Sequence, residues 1–73
     1  MREDVIEILT MICPAIDAED EDLNIFDYLE QKEIKTLIEE LEDKFDIEIS
    51  QEERAEENFE NVDTIIEMLN RIM

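Results

Sequence analysis

Glycine is absent from this chain, proline occurs once, and aromatic residues make up only 5% of it. A β-sandwich or β-barrel needs turn-forming residues at regular intervals, so these absences exclude both architectures. The hydrophobic content of 44% is nevertheless too high for a wholly disordered chain. The composition therefore predicts a folded, all-α protein, and 73 residues are enough for one domain spanning 1–73.

Histidine is also absent, which excludes Ser-His-Asp and Cys-His catalysis and histidine-based metal sites within this chain. Cys13 is the only cysteine, so no intramolecular disulfide can form, as is common in a reducing cytoplasm. Cys13 follows a helix and lies among acids, where a thiolate is disfavoured. We interpret it as a partly buried small residue, and we predict no catalytic residues and no enzymatic activity.

Basic residues are scarce: 6 of them face 24 acids, giving a formal net charge of -18. Such a molecule repels nucleic acid and anionic membranes and attracts basic protein surfaces, although the acids can also serve solubility alone. No apolar run is long enough to span a membrane, and no signal peptide is recognisable. We expect a cytoplasmic monomer whose partner is a basic protein.

Apolar periodicity predicts three main helices. The central one covers Tyr28 to Lys44, and its core face consists of Ile34, Leu37, Ile38 and Leu41, followed by Phe45. The first covers Arg2 to Ile12 and ends before Pro14, with a stripe of Val5, Ile8, Leu9 and Ile12 widened by Ile6 and Met11. The last covers Val62 to Ile72 after an Asn61 cap, with Val62, Ile65, Ile66, Leu69 and Ile72 buried.

The connections are predicted to dock on these helices. The first, Ala15 to Asp27, is long and acidic, and we expect Ile16, Leu23, Ile25 and Phe26 to hold it down, with a short helical turn near its end. The second begins as an extended segment, Asp46 to Ser50, with Ile47 and Ile49 turned inward. A short helix from Ala55 to Phe59 follows. The prediction is a small bundle of three main helices plus a short fourth.

The acidic first connection suggests calcium, but neither register of an EF-hand loop fits. A loop beginning at Asp17 has Asp22 at the glycine position and Tyr28 at the glutamate position. One beginning at Asp20 has Ile25 and Gln31 there. We therefore predict no dedicated metal site, while weak divalent-cation binding by the acids remains open.

Three segments resemble acyl carrier proteins. Leu41 to Ile49, with the sequence LEDKFDIEI, is similar to the end of helix two and its connector in that family. Met1 to Leu9 is similar to the first helix, and Glu57 to Val62 to the short third helix and the start of the fourth. The resemblance covers essentially the whole chain and implies an acyl-carrier-like bundle with a long first loop.

The family works through a serine in an Asp-Ser-Leu motif at the start of helix two, to which a phosphopantetheine arm is attached. Counting back from Phe45 places that motif on Glu30-Gln31-Lys32, so Gln31 stands at the serine position. A glutamine amide cannot attack the diphosphate of coenzyme A. Thr36 is more than one turn away, Ser50 lies beyond the helix, and Tyr28 replaces the family's glycine. We expect no bound cofactor.

The family also docks its acidic helix two on basic patches of partner enzymes. The resemblance predicts a partner surface here, in which two lysines interrupt the acids: Glu30, Lys32, Glu33, Lys35, Glu39 and Glu42. The implied partner is a basic protein, such as an acyl-activating or acyl-transfer enzyme.

Several hypotheses follow from these residues. The first is an acyl-carrier-like protein without the arm that regulates, scaffolds or mimics a true carrier. The second is a working acyl or aminoacyl carrier in fatty-acid, polyketide or related biosynthesis, with an unconventional attachment residue. An acidic mimic of nucleic acid, and a chain that merely folds, remain further alternatives.

Overall fold

The computed structural model describes residues 1–73 and is entirely helical. Three α-helices form the body of the molecule: α1 (Arg2–Ile12), α2 (Gln31–Phe45) and α3 (Val62–Ile72). The connections contain three short 3₁₀ turns, at Ile25–Asp27, Gln51–Arg54 and Glu56–Phe59. The predicted all-α class and the small helical bundle are therefore confirmed. No helix is long and apolar enough to cross a membrane.

Helix termini meet at two places in the bundle. The end of α2 lies against the start of α1, where Lys44 Nζ is 3.6 Å from Asp4 Oδ1. The starts of α1 and α3 lie together, where Arg2 Nη1 donates to Asp63 Oδ1 at 2.6 Å. Both ion pairs are partly exposed, so they contribute at most about 1 kcal/mol each and the packing beneath them decides the arrangement.

The core consists of 17 buried residues, all of them apolar, and no polar side chain is buried. Helices α1 and α2 bury the centres of their predicted stripes, while Ile12, Ile34 and Phe45 are partly buried at the edge. In α3 the predicted core residues Ile66 and Ile72 are only partly buried. The buried residues are Val5, Ile8, Leu9, Ile16, Ala18, Leu23, Ile25, Leu29, Leu37, Ile38, Leu41, Ile49, Phe59, Val62, Ile65, Met68 and Leu69.

Two methionines differ from the prediction. Met11 was expected to widen the stripe of α1, but it is 64% exposed, at the edge of the groove between α1 and α2. Met68 was not expected in the core, yet it is fully buried. It lies three residues after Ile65, so it shares the inward face of α3, and its unbranched side chain can fill an irregular gap there.

The central helix begins at Gln31, three residues later than the apolar pattern predicts. Tyr28 instead closes the 3₁₀ turn by donating its N–H to Ile25 O at 3.0 Å. Glu30 is extended, with φ -84° and ψ 172°, and donates its N–H to Glu33 Oε1 at 3.0 Å. This side-chain acceptor satisfies an N–H at the helix start and so fixes where the helix begins.

The first connection is pinned to the core along its length. As predicted, Ile16, Leu23 and Ile25 are buried, and Phe26 is partly buried. The expected helical turn is the 3₁₀ turn Ile25–Asp27, which Asn24 Oδ1 caps by accepting from Phe26 N at 3.0 Å. Ile25 N also donates to Glu60 O at 2.7 Å, which joins the first connection to the start of the last helix.

The second connection starts at Asp46, the one residue with a positive φ, at 51°. Its left-handed conformation ends α2 in the position where glycine is usual. The extended segment then buries Ile49 fully and Ile47 partly, as predicted. A fourth α-helix is absent: two 3₁₀ turns replace it, and the second, Glu56–Phe59, buries Phe59 completely.

Helices α1 and α3 have the predicted bounds. Cys13 caps α1 in an extended conformation and is half-buried, as expected, and Pro14 comes next. Asn61 caps α3, with its Oδ1 accepting from Thr64 N at 2.9 Å, while Asn61 N donates to Thr64 Oγ1 at 3.1 Å. This reciprocal pair satisfies N–H groups that an uncapped helix start leaves open.

We predict that Phe59→Ala destabilises the fold by about 3–5 kcal/mol, because it leaves a cavity where the second connection meets the core. A domain of this size has a total stability of roughly 4–11 kcal/mol, so the loss is a large share of it. Met11→Ala removes a similarly large apolar side chain from an exposed site and should change stability by less than about 0.5 kcal/mol. Urea denaturation followed by circular dichroism measures both variants, and equal losses would contradict this account of the core.

Candidate partner-binding surface

The start of α2 is held by its own side chains and is open to solvent. Glu30 precedes the helix, Gln31 is its first residue, and Lys32 is its second. All three are exposed. Lys32 Nζ lies 3.9 Å from Glu30 Oε2, and both side chains are more than three-quarters exposed, so the pair adds little to stability.

The position of Lys32 is not explained by helix stability. The partial positive charge at the N-terminus of a helix disfavours a cation there, and Lys32 lies in the first turn of α2. Lys35 is exposed one turn of helix from Lys32 and forms no ion pair. Glu39 is exposed on the same side, one further turn along. We call Glu30, Lys32, Lys35 and Glu39 the outer face of α2.

Two of the six residues predicted for the partner surface have structural contacts instead of free side chains. Glu33 is partly buried and accepts from Glu30 N. Glu42 is 24% exposed, and its Oε2 accepts from Ile49 N at 2.9 Å. The predicted surface thus consists of four exposed residues on the outer face and two acids that also shape the backbone around it.

Glu42 belongs to a small network that closes the second connection. Arg54 Nη2 lies 3.7 Å from Glu42 Oε2, and Arg54 Nε donates to Ile49 O at 3.1 Å. Glu42 and Arg54 therefore satisfy the N–H and C=O of Ile49, whose own side chain is 1% exposed. The network holds the extended segment against the end of α2 without any strand pairing.

A cleft of about 210 Å³ opens beside the start of α2. Its apolar walls are Phe26, Ile34 and Phe59, and its polar rim is formed by Gln31, Arg54 and Glu56. The cleft joins the first connection, the first turn of α2 and the last 3₁₀ turn.

The first turn of α2 carries no hydroxyl group, and the phenol of Tyr28, which is 44% exposed, precedes it. Thr36, the nearest on α2, donates its Oγ1 hydrogen to Lys32 O at 3.1 Å, a bond within the helix. Ser50 lies after the end of α2, immediately before the turn Gln51–Arg54. The first turn of α2 therefore presents an amide at Gln31, with no alcohol that could be phosphorylated or otherwise esterified.

The acidic first connection uses its carboxylates locally. Asp17 Oδ1 accepts from Glu19 N at 3.2 Å, and Asp20 Oδ1 accepts from Asp22 N at 3.0 Å. These contacts shape successive turns of the backbone. No group of three or more acid or cysteine side chains is arranged to hold a metal ion.

No protein-family model matches the chain, and no curated protein or solved structure matches it either.

Sequence reasoning missed the network of Glu42, Ile49 and Arg54 and the cleft beside Gln31. Glu42 and Arg54 are 12 positions apart across a connection without periodicity, so no local pattern links them. The buried alternation of Ile47 and Ile49 was the available signal that this segment lies against the bundle. That signal did not indicate which side chains form hydrogen bonds with the backbone N–H and C=O of the segment.

We predict that Glu42→Ala destabilises the protein by about 1–3 kcal/mol, because it leaves the N–H of Ile49 without its acceptor. Glu39→Ala, on the outer face of the same helix, should cost less than about 0.5 kcal/mol. Glu42→Gln, which keeps a side-chain oxygen that can accept from Ile49 N, should recover part of the loss. Chemical denaturation at fixed salt compares the three variants, and a cost for Glu39→Ala as large as that for Glu42→Ala would contradict the assignment.

Proposed function

We propose that this protein is an acyl-carrier-like protein that carries no phosphopantetheine arm and acts by binding a basic partner protein. It regulates, scaffolds or mimics a true carrier, and it has no catalytic role of its own. The partner is an enzyme that recognises carriers, such as an acyl-activating or acyl-transfer enzyme.

One observation carries this proposal. The resemblance places the attachment serine at the start of helix two and aligns that position with Gln31. The apolar periodicity alone predicts that the helix begins at Tyr28, but in the structure α2 begins at Gln31. The position that the alignment selects is therefore the first residue of the helix, exposed to solvent, as an attachment point needs to be. In this chain it holds an amide that cannot accept the arm.

The charge distribution supports the proposal that the protein binds a basic partner. The chain has a net charge of -18 and no buried charge, so a strong negative potential surrounds the bundle and attracts basic proteins. Lys32 and Lys35 balance the charges of Glu30 and Glu39, so the outer face of α2 is locally neutral on an otherwise acidic molecule. A partner that fits this face needs an acidic or neutral patch within an otherwise basic surface, which sets it apart from partners of a uniformly acidic helix.

We expect no mass increase when the protein is co-expressed with a broad-specificity phosphopantetheinyl transferase and its intact mass is measured. Gln31 lacks the hydroxyl that the reaction needs, and Thr36 is bonded within the helix. Gln31→Ser supplies a hydroxyl at the same exposed position, and it should gain the arm if the fold is recognised as a carrier. Gln31→Ala is the matched control without one.

A mass increase of the unaltered protein would overturn the proposal in favour of the alternative, a working carrier with an unconventional attachment residue. Peptide mapping would then locate the modified side chain. If Gln31→Ser also stays unmodified, the transferase does not treat this bundle as a carrier substrate, and the competition measurement then decides whether the protein still binds that enzyme.

If the protein binds enzymes that recognise carriers, it should compete with a working acyl carrier for them. An excess of this protein should slow the loading of a working acyl carrier by the same transferase, most strongly at low salt, because screening weakens attraction between exposed charges. Glu30→Lys combined with Glu39→Lys reverses two charges on the outer face and should relieve the inhibition. Glu60→Lys combined with Glu67→Lys makes the same change in net charge elsewhere and should relieve it less. Equal effects of the two double variants would show that net charge, and not the outer face, causes the inhibition.

A further inference from the structure

We propose that the groove between α1 and the end of α2 is a second docking site, for a basic amphipathic segment of another protein. An apolar side chain of that segment covers Met11, and its lysine or arginine side chains contact the carboxylates on both sides. The site adjoins the outer face of α2, since Asp43 lies one turn after Glu39, and it does not depend on the proposed function.

The groove encloses about 170 Å³. Its α1 side is formed by Asp4, Glu7 and Met11, and its α2 side by Glu40, Asp43 and Lys44. Ile8, which is 4% exposed, lies at its base and belongs to the core. The groove therefore has an apolar base, an apolar side chain on one edge and charged groups around it.

Met11 is the most exposed large hydrophobic side chain of the protein, at 64%. A single exposed methionine is ordinary on a protein surface and indicates nothing alone. Met11, however, stands on the edge of a groove, next to the buried side chain of Ile8. Its flexible, polarizable thioether suits contact with apolar side chains of varied shape.

The carboxylates of the groove are not balanced within the chain. Asp4 has two cations nearby, Lys44 Nζ at 3.6 Å and the α-amino group of Met1 at 3.8 Å. Glu7, Glu40 and Asp43 form no ion pair. Glu40 and Asp43 are three positions apart on α2, where two like charges oppose helix formation. The contact of Lys44 with Asp4 shows that a lysine ammonium can lie in this groove.

Charge decides which occupant fits. A second copy of this chain also carries a net charge of -18 and would be repelled, as would nucleic acid. The side chains do not converge in the way a metal ion requires. A segment with an apolar residue flanked by cations matches both features of the groove. One groove is small compared with a stable protein interface, so the contact is weak and transient by itself.

The test is a titration of the isotope-labelled protein, followed by NMR, with a synthetic helical peptide bearing leucines on one face and lysines on the other. A control peptide keeps every lysine and replaces the leucines by serine. We expect the leucine peptide to shift the methyl signal of Met11 and the amide signals of Glu7, Glu40 and Asp43. The serine peptide should bind at least about fivefold more weakly.

Variants of the protein separate the two contributions. Met11→Gln should weaken binding of the leucine peptide by roughly fivefold at every salt concentration, because it removes the apolar contact. Glu40→Gln combined with Asp43→Asn should weaken it by a similar factor at low salt and by less at high salt, because screening already reduces the charge contribution. Glu57→Gln combined with Glu67→Gln makes the same charge change elsewhere and should leave affinity within about twofold.

Four results would overturn the proposal: equal binding of the two peptides, equal effects of the two double variants, shifts centred on the outer face of α2, or self-association of the protein in place of peptide binding. None of them bears on the mass measurement of Gln31→Ser. The groove and the proposed function can therefore fail separately.

Discussion

The structure depends on closing a small apolar core with residues from the connections. Three helices of 11, 15 and 11 residues cannot cover one another completely. Seven of the 17 buried residues lie outside the α-helices: Ile16, Ala18, Leu23, Ile25, Leu29, Ile49 and Phe59. The hydrogen bond from Ile25 N to Glu60 O then fixes the two connections to each other. The long acidic first connection is thus part of the core's enclosure, and its charges project outward because its apolar residues point inward.

The separation of buried apolar residues from exposed charges also determines where function can reside. All buried side chains are apolar, so every charge of the molecule is at least partly at its surface and available to a partner. Helix α2 contributes Leu37, Ile38 and Leu41 to the core and presents charge at both of its ends. Its start carries Gln31 and the outer face, and its end forms one side of the groove with α1. A rigid helix that is anchored through its middle can present two surfaces in a fixed relation to each other.

The sequence predicted the elements with strong local signals and missed those that depend on distant contacts. The bounds of α1 and α3 followed from Pro14 and from Asn61, which each act within a few residues. The start of α2 was wrong because Tyr28 and Leu29 continue an apolar pattern, whereas the backbone ends its 3₁₀ turn at Tyr28 and Glu33 caps the helix at Glu30. Burial of Ala18 and Leu29 could not be predicted, since irregular segments have no period.

Four of the six residues of the predicted partner surface are exposed, but the binding role proposed for that surface rests on resemblance and charge. The bonds that tie Glu42 to Ile49 had no local signal.

The fold needs a left-handed backbone only at Asp46, so the chain can do without glycine, and that absence affects the unfolded chain. A protein without glycine reaches this folded structure with only one residue of positive φ. Every residue in its unfolded ensemble carries a β-carbon, and the range of backbone conformations open to it is narrower than that of a glycine-rich chain. Folding therefore gives up less conformational entropy per residue, an advantage that matters most for a domain with so small a core. The entropy saved in the connections helps to explain how a chain without a disulfide, and with so much mutual repulsion, keeps long segments ordered.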